Sequence, residues 1–392
     1  MGTDDMTDPQ AVGIGIVGAG FLAETRARCY GRIGAARLTA VTSRTAERAQ
    51  AYATRHGVPA VCKDLDELLA RDDVHIVDLC VPNLLHRPMA VAAAAAGKHV
   101  VCTKPLTAYV GQDLKADATD EGIGGVDKGR MLEVAVADAQ AMVDAADAAG
   151  VQLMYGENWI YAPSIVRAAG LLKKSGGAVL EMHGWECHSG SHSEYSKVWR
   201  HTGGGALIRL GAHPIGAMLQ LKAPCRPVSV TAEVGDLSKV AAATGADMHL
   251  ATGWKDVENW GVAIITFDDG SRGVAHGSDN LIGGMQSKLR IRASNCTFEC
   301  NLSPHDLVRA YAPSADVFGD AYIMEKIEGG AGWTTPLPDE DWSAGHADMC
   351  SDFVAAVLEG RPALATGALG LDVTRVVYGA YVSAAEGRRY DL

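Results

Sequence analysis

The chain has 392 residues, 48% of them hydrophobic and 21% charged, which is enough for two domains of ordinary size and too apolar for a disordered chain. A formal net charge of −12 excludes partners that need a basic face, so neither nucleic acid nor a membrane is expected. Nine cysteines without a tight framework read as reduced thiols, and the acidic, polar opening MGTDDMTDPQ has no signal-peptide character, so a cytoplasmic protein is expected.

The first third alternates strand and helix. The apolar run 12–17 reads as a strand ending in Gly18-Ala19-Gly20, with a helix from Phe21 to about Ile33. A strand over 37–42 and a helix over 45–56 follow, then a short helix capped by Asp64. Residues 75–81 (HIVDLCV) read as a buried strand, 87–96 as a helix with Pro88 in its first turn, and 99–102 as the next strand. This alternation predicts an α/β fold with a doubly wound parallel sheet, a Rossmann domain over 1–157. Residues 110–133 are polar, glycine-rich and without clear period, and read as an inserted loop; a helix over 134–149 and a strand over 152–155 close the domain.

From 158 to 392 the pattern changes. Strand-like runs recur at 179–185, 228–234, 262–267, 272–276, 288–293 and 297–300, with Asp268-Asp269-Gly270 as a hairpin turn. Helices are expected near 345–359 and 369–386. The expectation is a second, α+β domain with a mostly antiparallel open sheet.

Several places carry chemistry. Gly18-Ala19-Gly20-Phe21-Leu22-Ala23 is a GxGxxA fingerprint: Gly18 permits the tight turn, and Gly20 lets backbone approach a pyrophosphate at the helix N-terminus. The second strand ends in Ser43-Arg44 with no acidic residue for ribose hydroxyls, which permits a 2′-phosphate, so the cofactor is NAD or NADP. Pro82-Asn83-x-x-His86 and Thr103-Lys104-Pro105 both lie at carboxyl ends of strands, where open α/β sheets bind ligands. Asn83 can bond a ribose or amide, and Lys104 can point at a reacting carbon and a substrate hydroxyl.

A further place is Gly203-Gly204-Gly205 running to Arg209 and His213. The glycines are read as letting backbone pass close to a ligand, with Arg209 and His213 one helical turn apart. His213 can move a substrate proton, and Arg209 can hold an anionic group. The loop upstream, with Cys187, His188, His192, Tyr195, Trp199 and Arg200, suits a sugar ring; its spacing matches no strong zinc pattern, and no metal is expected. Asn158 is assigned to the cofactor side and Tyr161 to the substrate side.

Taken in order, these pieces resemble the glucose–fructose oxidoreductase / inositol dehydrogenase (Gfo/Idh/MocA) family over nearly the whole chain. The resemblance implies NAD(P)-dependent hydride transfer at a ring hydroxyl of a sugar or cyclitol. It implies Lys104 and His213 as the catalytic pair, Asn83 near the nicotinamide ribose, and a homo-oligomer, dimer or tetramer, built on the open sheet. The chain departs from the family at Thr103, where a glutamate is usual, at Arg209, where an aspartate is usual, and at the 110–133 insertion. Arg209 hints at an anionic substrate. The family's redox-neutral NAD-dependent glycoside hydrolases, some acting on sulfoquinovosides, give the runner-up reading, and a non-catalytic nucleotide sensor the third.

Overall fold

The computed structural model describes residues 11–191, 193–323, 326 and 331–392. Six parallel strands form the first sheet: β1 (Val12–Val17), β2 (Ala36–Thr42), β3 (Ala60–Val61), β4 (Ile76–Leu79), β5 (His99–Thr103) and β6 (Leu153–Gly156), in the order β3-β2-β1-β4-β5-β6. Every residue of β1 and β4 is buried, because helices cover both faces of a parallel sheet. Those helices are α1 (Phe21–Tyr30), α2 (Ala46–His56), α3 (Leu65–Leu69) and α4 (His86–Ala95). The Asp64 side chain caps α3, accepting from the Glu67 N–H at 2.9 Å.

Beneath the fingerprint lies a buried polar cluster. Arg26 of α1 meets Asp78 of β4 at 3.2 Å, both fully enclosed, and the Tyr30 hydroxyl donates to Asp78 at 2.9 Å. A buried charge must be paired, and this pair joins α1 to the middle of the sheet.

Residues 110–133 are not a structureless loop. They hold α5 (Asp120–Gly124), and α6 (Lys128–Ala149) already starts within them. Thr119 caps α5 by accepting from Gly122 N–H at 3.0 Å. The chain divides into two compact units, and the division crosses the chain more than once. The first unit is residues 1–107, 137–157 and 346–371; the second is 108–136, 158–345 and 372–392. The single cut after 157 therefore differs from the packing: 108–136 belong with the second unit, and α12 (His346–Glu359) returns to the first, where it packs on α1.

In the second unit, α7 (Pro163–Ser175), α8 (Trp199–Thr202), α9 (Ala212–Lys222), α10 (Ser238–Thr244) and α11 (Glu340–Ser343) accompany a seven-stranded sheet. Its strands are β7 (Val179–Cys187), β8 (Pro227–Gly235), β9 (Trp260–Phe267), β10 (Arg272–Ser278), β11 (Gln286–Ala293), β12 (Thr297–Asn301) and β15 (Tyr390–Asp391), in the order β12-β11-β7-β10-β9-β8-β15. β13 (Ala310–Ala312) and β14 (Gly332–Thr334) make a separate ribbon, and α13 (Gly367–Glu386) precedes β15. The β7–β10 pair is parallel, and the other named pairs in this sheet are antiparallel. Helix α9 packs on one face: a Cβ at Gly184 would sit 2.4 Å from Pro214. The opposite face presents cross-strand rows, Ile264–Val274–His183–Arg290 and Val262–His276–Trp185–Lys288.

Candidate active site

The first unit places the nucleotide fingerprint between β1 and α1. Gly18 has φ +107°, and a Cβ there would lie 2.2 Å from the Cys80 carbonyl oxygen, so only glycine fits. Gly20 begins α1 with no side-chain cap, and a Cβ there would meet nothing within 4 Å. Uncapped first-turn N–H groups facing open space are what a pyrophosphate needs. The residues present thus fit a dinucleotide, with Phe21 75% exposed and Leu22 half-buried at the same turn. At the end of β2, Ser43 is half-buried and Arg44 exposed.

The turns after β4 and β5 lie at the same sheet edge. Pro82 is exposed, and Asn83, Thr103 and Lys104 are half-buried; the Lys104–Pro105 peptide is cis. His86 corrects its assignment as a cofactor ligand. It is fully buried, with Nδ1 3.1 Å from the Leu106 carbonyl and Nε2 3.0 Å from that of Val81. The ring bridges the Val81 turn and the segment after Lys104, and as a neutral imidazole it donates to one of these carbonyls at a time. Burial lowers its pKa, against the pull of those carbonyls.

The second unit carries Arg209 and His213. Residues Leu207–Gly211 form a π-helical turn that runs into α9, placing Arg209 in the turn and His213 in the first turn of α9. Such π turns are often found at functional sites. His213 is buried and stacks on Trp159, with centroids 6.0 Å apart and planes at 17°. Arg209 is paired: its Nη2 donates to Asp279 Oδ2, and its guanidinium carbon lies 5.3 Å from the Trp254 ring centroid. Sequence reading missed Asp279, which lies 70 residues away just past β10.

His188 stands beside this pair, its Nδ1 3.6 Å from Asp279 Oδ1 and accepting from the Gly190 N–H at 2.9 Å. A ring nitrogen that accepts carries no proton, so His188 is the Nε2–H tautomer. Burial pushes the neighbouring Cys187 thiol up to about 12. His192 lies outside the described residues.

The other assigned residues have protein partners or are buried. Trp199 is buried, donates from Nε1 to the Tyr109 carbonyl at 3.0 Å, and lies under the Lys128 ammonium, 3.8 Å from its ring centroid. Arg200 is engaged by Asp120 at 2.6 Å and by the Ala118 carbonyl. Both therefore secure the 108–136 segment to the second unit. Asn158 donates to the Ala344 carbonyl at 2.7 Å, a structural bond, and Tyr161 is buried in the same turn.

The glycine run is packed close to protein. A Cβ at Gly205 would lie 1.8 Å from the Glu258 carbonyl oxygen, and one at Gly204 would lie 2.2 Å from the Tyr381 hydroxyl. The Glu258 carboxylate accepts from Gly205 N–H and Leu207 N–H, each at 2.9 Å, and from the Tyr381 hydroxyl at 2.8 Å. It holds the backbone that leads into Arg209 and His213.

Two family models match: residues 12–122 match an oxidoreductase family with an NAD-binding Rossmann fold, and 172–299 match the GFO/IDH/MocA C-terminal domain. Among solved structures, GenD2 from gentamicin A biosynthesis in complex with NAD is 27% identical, with a TM-score of 0.79, covering 98% of this chain and 97% of its own. A levoglucosan dehydrogenase from Pseudarthrobacter phenanthrenivorans is 25% identical over 301 residues, 70% of each chain. A D-xylose 1-dehydrogenase (NADP(+)) from Haloferax volcanii is 29% identical over 199 residues, 50% of this chain and 53% of that one. The chain belongs to the Gfo/Idh/MocA family and is an NAD(P)-dependent oxidoreductase of that type.

Proposed function

We propose that the protein oxidises a ring hydroxyl of a sugar or glycoside, with Lys104 and His213 as the catalytic residues. The observation that carries this reading is Lys104 itself, half-buried just past β5 at the carboxyl edge of a sheet whose fingerprint fits a dinucleotide. The nicotinamide, when bound, supplies the hydride acceptor. Gly18, Gly20 and the first turn of α1 hold the phosphates. Asn83 and Thr103 lie where a ribose or amide would be bonded. Lys104 polarises the reacting oxygen, and His213, aligned by Trp159, receives or returns its proton. Sugar dehydrogenases among the similar proteins support a polyhydroxy substrate.

The Arg209 charge that points to an anionic substrate is balanced by Asp279. Redox-neutral glycoside hydrolysis gains no observation of its own. A panel of free sugars and glycosides, run with NAD and with NADP, tests the reading. Steady growth of the reduced-nicotinamide absorbance is the expected result, and aglycone release without net reduced cofactor would replace the dehydrogenase with the hydrolase.

We also propose a homo-oligomer built on the open face of the seven-stranded sheet. Ile264 is 44% exposed there beside Val262 and Val274, an apolar patch that a second copy would cover. Ile264→Glu is expected to shift the mass measured by light scattering from oligomer towards monomer, with the melting temperature of the monomer little changed. An unchanged mass would place the interface elsewhere.

A further inference from the structure

The Arg209–Asp279 pair has an unusual balance. The Asp279 side chain is fully enclosed, while that of Arg209 is 13% exposed, so the arginine is the partner nearer to solvent. Asp279 is anchored at the end of β10, its own N–H donating to the Asn259 carbonyl at 2.8 Å. Its Oδ2 receives Arg209, and its Oδ1 is buried without a hydrogen-bond partner among the described residues. The His188 ring nitrogen beside Oδ1 already accepts from Gly190 N–H and offers no proton. Lys326 contributes only a more distant positive field, its ammonium donating to the Gly190 carbonyl at 3.1 Å. The carboxylate is thus directed at Arg209, which Trp254 flanks.

We propose that Asp279 is a positioning and specificity-determining residue of the sugar site, acting through Arg209, and that the site takes a neutral polyhydroxy sugar over a carboxylated or sulfonated one. This rests on the dehydrogenase reading. A guanidinium whose charge is already matched serves as a fixed set of N–H donors for hydroxyl oxygens. An anionic substrate would have to share that guanidinium with a desolvated carboxylate, and like charges held close in a poorly solvated site repel strongly. Arg209 therefore does not recruit acidic sugars, although it occupies the family's aspartate position.

The test compares kcat/KM for a neutral aldohexose that the enzyme turns over with that for the corresponding uronate. Wild type is expected to favour the neutral sugar. Asp279→Asn, which keeps shape and removes charge, is expected to shift that ratio towards the uronate by about tenfold or more. The double variant Arg209→Gln/Asp279→Asn, which carries neither charge, is expected to return the ratio to within about threefold of wild type. A ratio unchanged in Asp279→Asn, in protein that melts cooperatively and binds cofactor, overturns the proposal. If Asp279→Asn does not fold, Asp279→Ser, which also removes the charge, is read in its place, with the same expected shift towards the uronate and an unchanged ratio as the overturning result. A wild-type protein that binds cofactor but reduces it with no sugar defeats the dehydrogenase reading instead. Calorimetric Kd values for glucose and glucuronate must then show the same tenfold shift in the variant, and no shift overturns the specificity claim too.

Discussion

Replacing Lys104 with alanine is expected to lower kcat by about 10²- to 10⁴-fold, the range for loss of a positioned proton-transfer group, while NAD(P) binding stays within a few-fold of wild type. The separation follows from where the lysine sits. The groups that fit the pyrophosphate are backbone N–H groups at the start of α1, and Lys104 is not among them. Its backbone follows β5, whose Val100, Val101 and Cys102 are fully buried, so the substitution at a half-buried turn leaves the sheet intact. His86 fixes the two turns that flank the lysine through carbonyls of the main chain, contacts that alanine at 104 does not touch. Lys104→Arg is expected to remain slow, because a guanidinium stays charged and cannot take part in proton transfer as an amine does. Cofactor Kd by fluorescence and single-turnover rates measure the two effects separately. Full turnover in the alanine variant would remove the lysine from the mechanism.

The first sheet was legible because parallel strands are buried on both faces and read as unbroken apolar runs. VGIGIV and the core of HIVDLCV became β1 and β4 with little change. Helix α5 escaped because five residues, two of them glycine, show no period; its one signal was Thr119 ahead of Asp120 and Glu121. The glycines at 203–205 announced a close approach without saying to what, since a ligand and a buried glutamate make the same demand for a missing Cβ. Arg209 was legible as a departure from the family, but its meaning was not. The carboxylate that balances it lies just past β10, 70 residues away, and pairing across such a separation leaves no local pattern. Trp199 and Arg200 have side chains that also suit sugar binding, and only packing shows that the 108–136 segment uses them.

The second large effect is expected at Glu258, which touches no proposed reacting group. Its carboxylate accepts from Gly205 N–H, Leu207 N–H and the Tyr381 hydroxyl, and its carbonyl accepts from Ala206 N–H at 2.9 Å. Three consecutive residues that open the π turn are thus held by one side chain and its own backbone. Glu258→Ala leaves buried donors without an acceptor, at about 1–3 kcal/mol each, so the second unit is expected to lose roughly 3 kcal/mol or more. Turnover should fall with it, because Arg209 and His213 lie two and six residues beyond Leu207, on the backbone that Glu258 positions. The fingerprint in the first unit makes none of these bonds, and cofactor binding should persist in the variant. Glu258→Gln keeps the volume but turns an amide donor towards a backbone donor, so it is expected to fall between wild type and alanine. Burial raises the Glu258 pKa, against the pull of the Leu207 and Gly205 N–H groups and the Tyr381 hydroxyl. A raised carboxyl pKa contributes stability that is fully present below the ordinary carboxylate range and is lost as pH rises through the folded-state value. The melting-temperature gap between wild type and Glu258→Gln should therefore widen on going from about pH 8 to about pH 5, since glutamine cannot titrate. A gap that narrows on acidification would mean that the ionised form dominates the folded state throughout. An alanine variant as stable and active as wild type would mean that the glycine run needs no anchor, and that the turn carrying Arg209 and His213 is set by the packing of α9 alone.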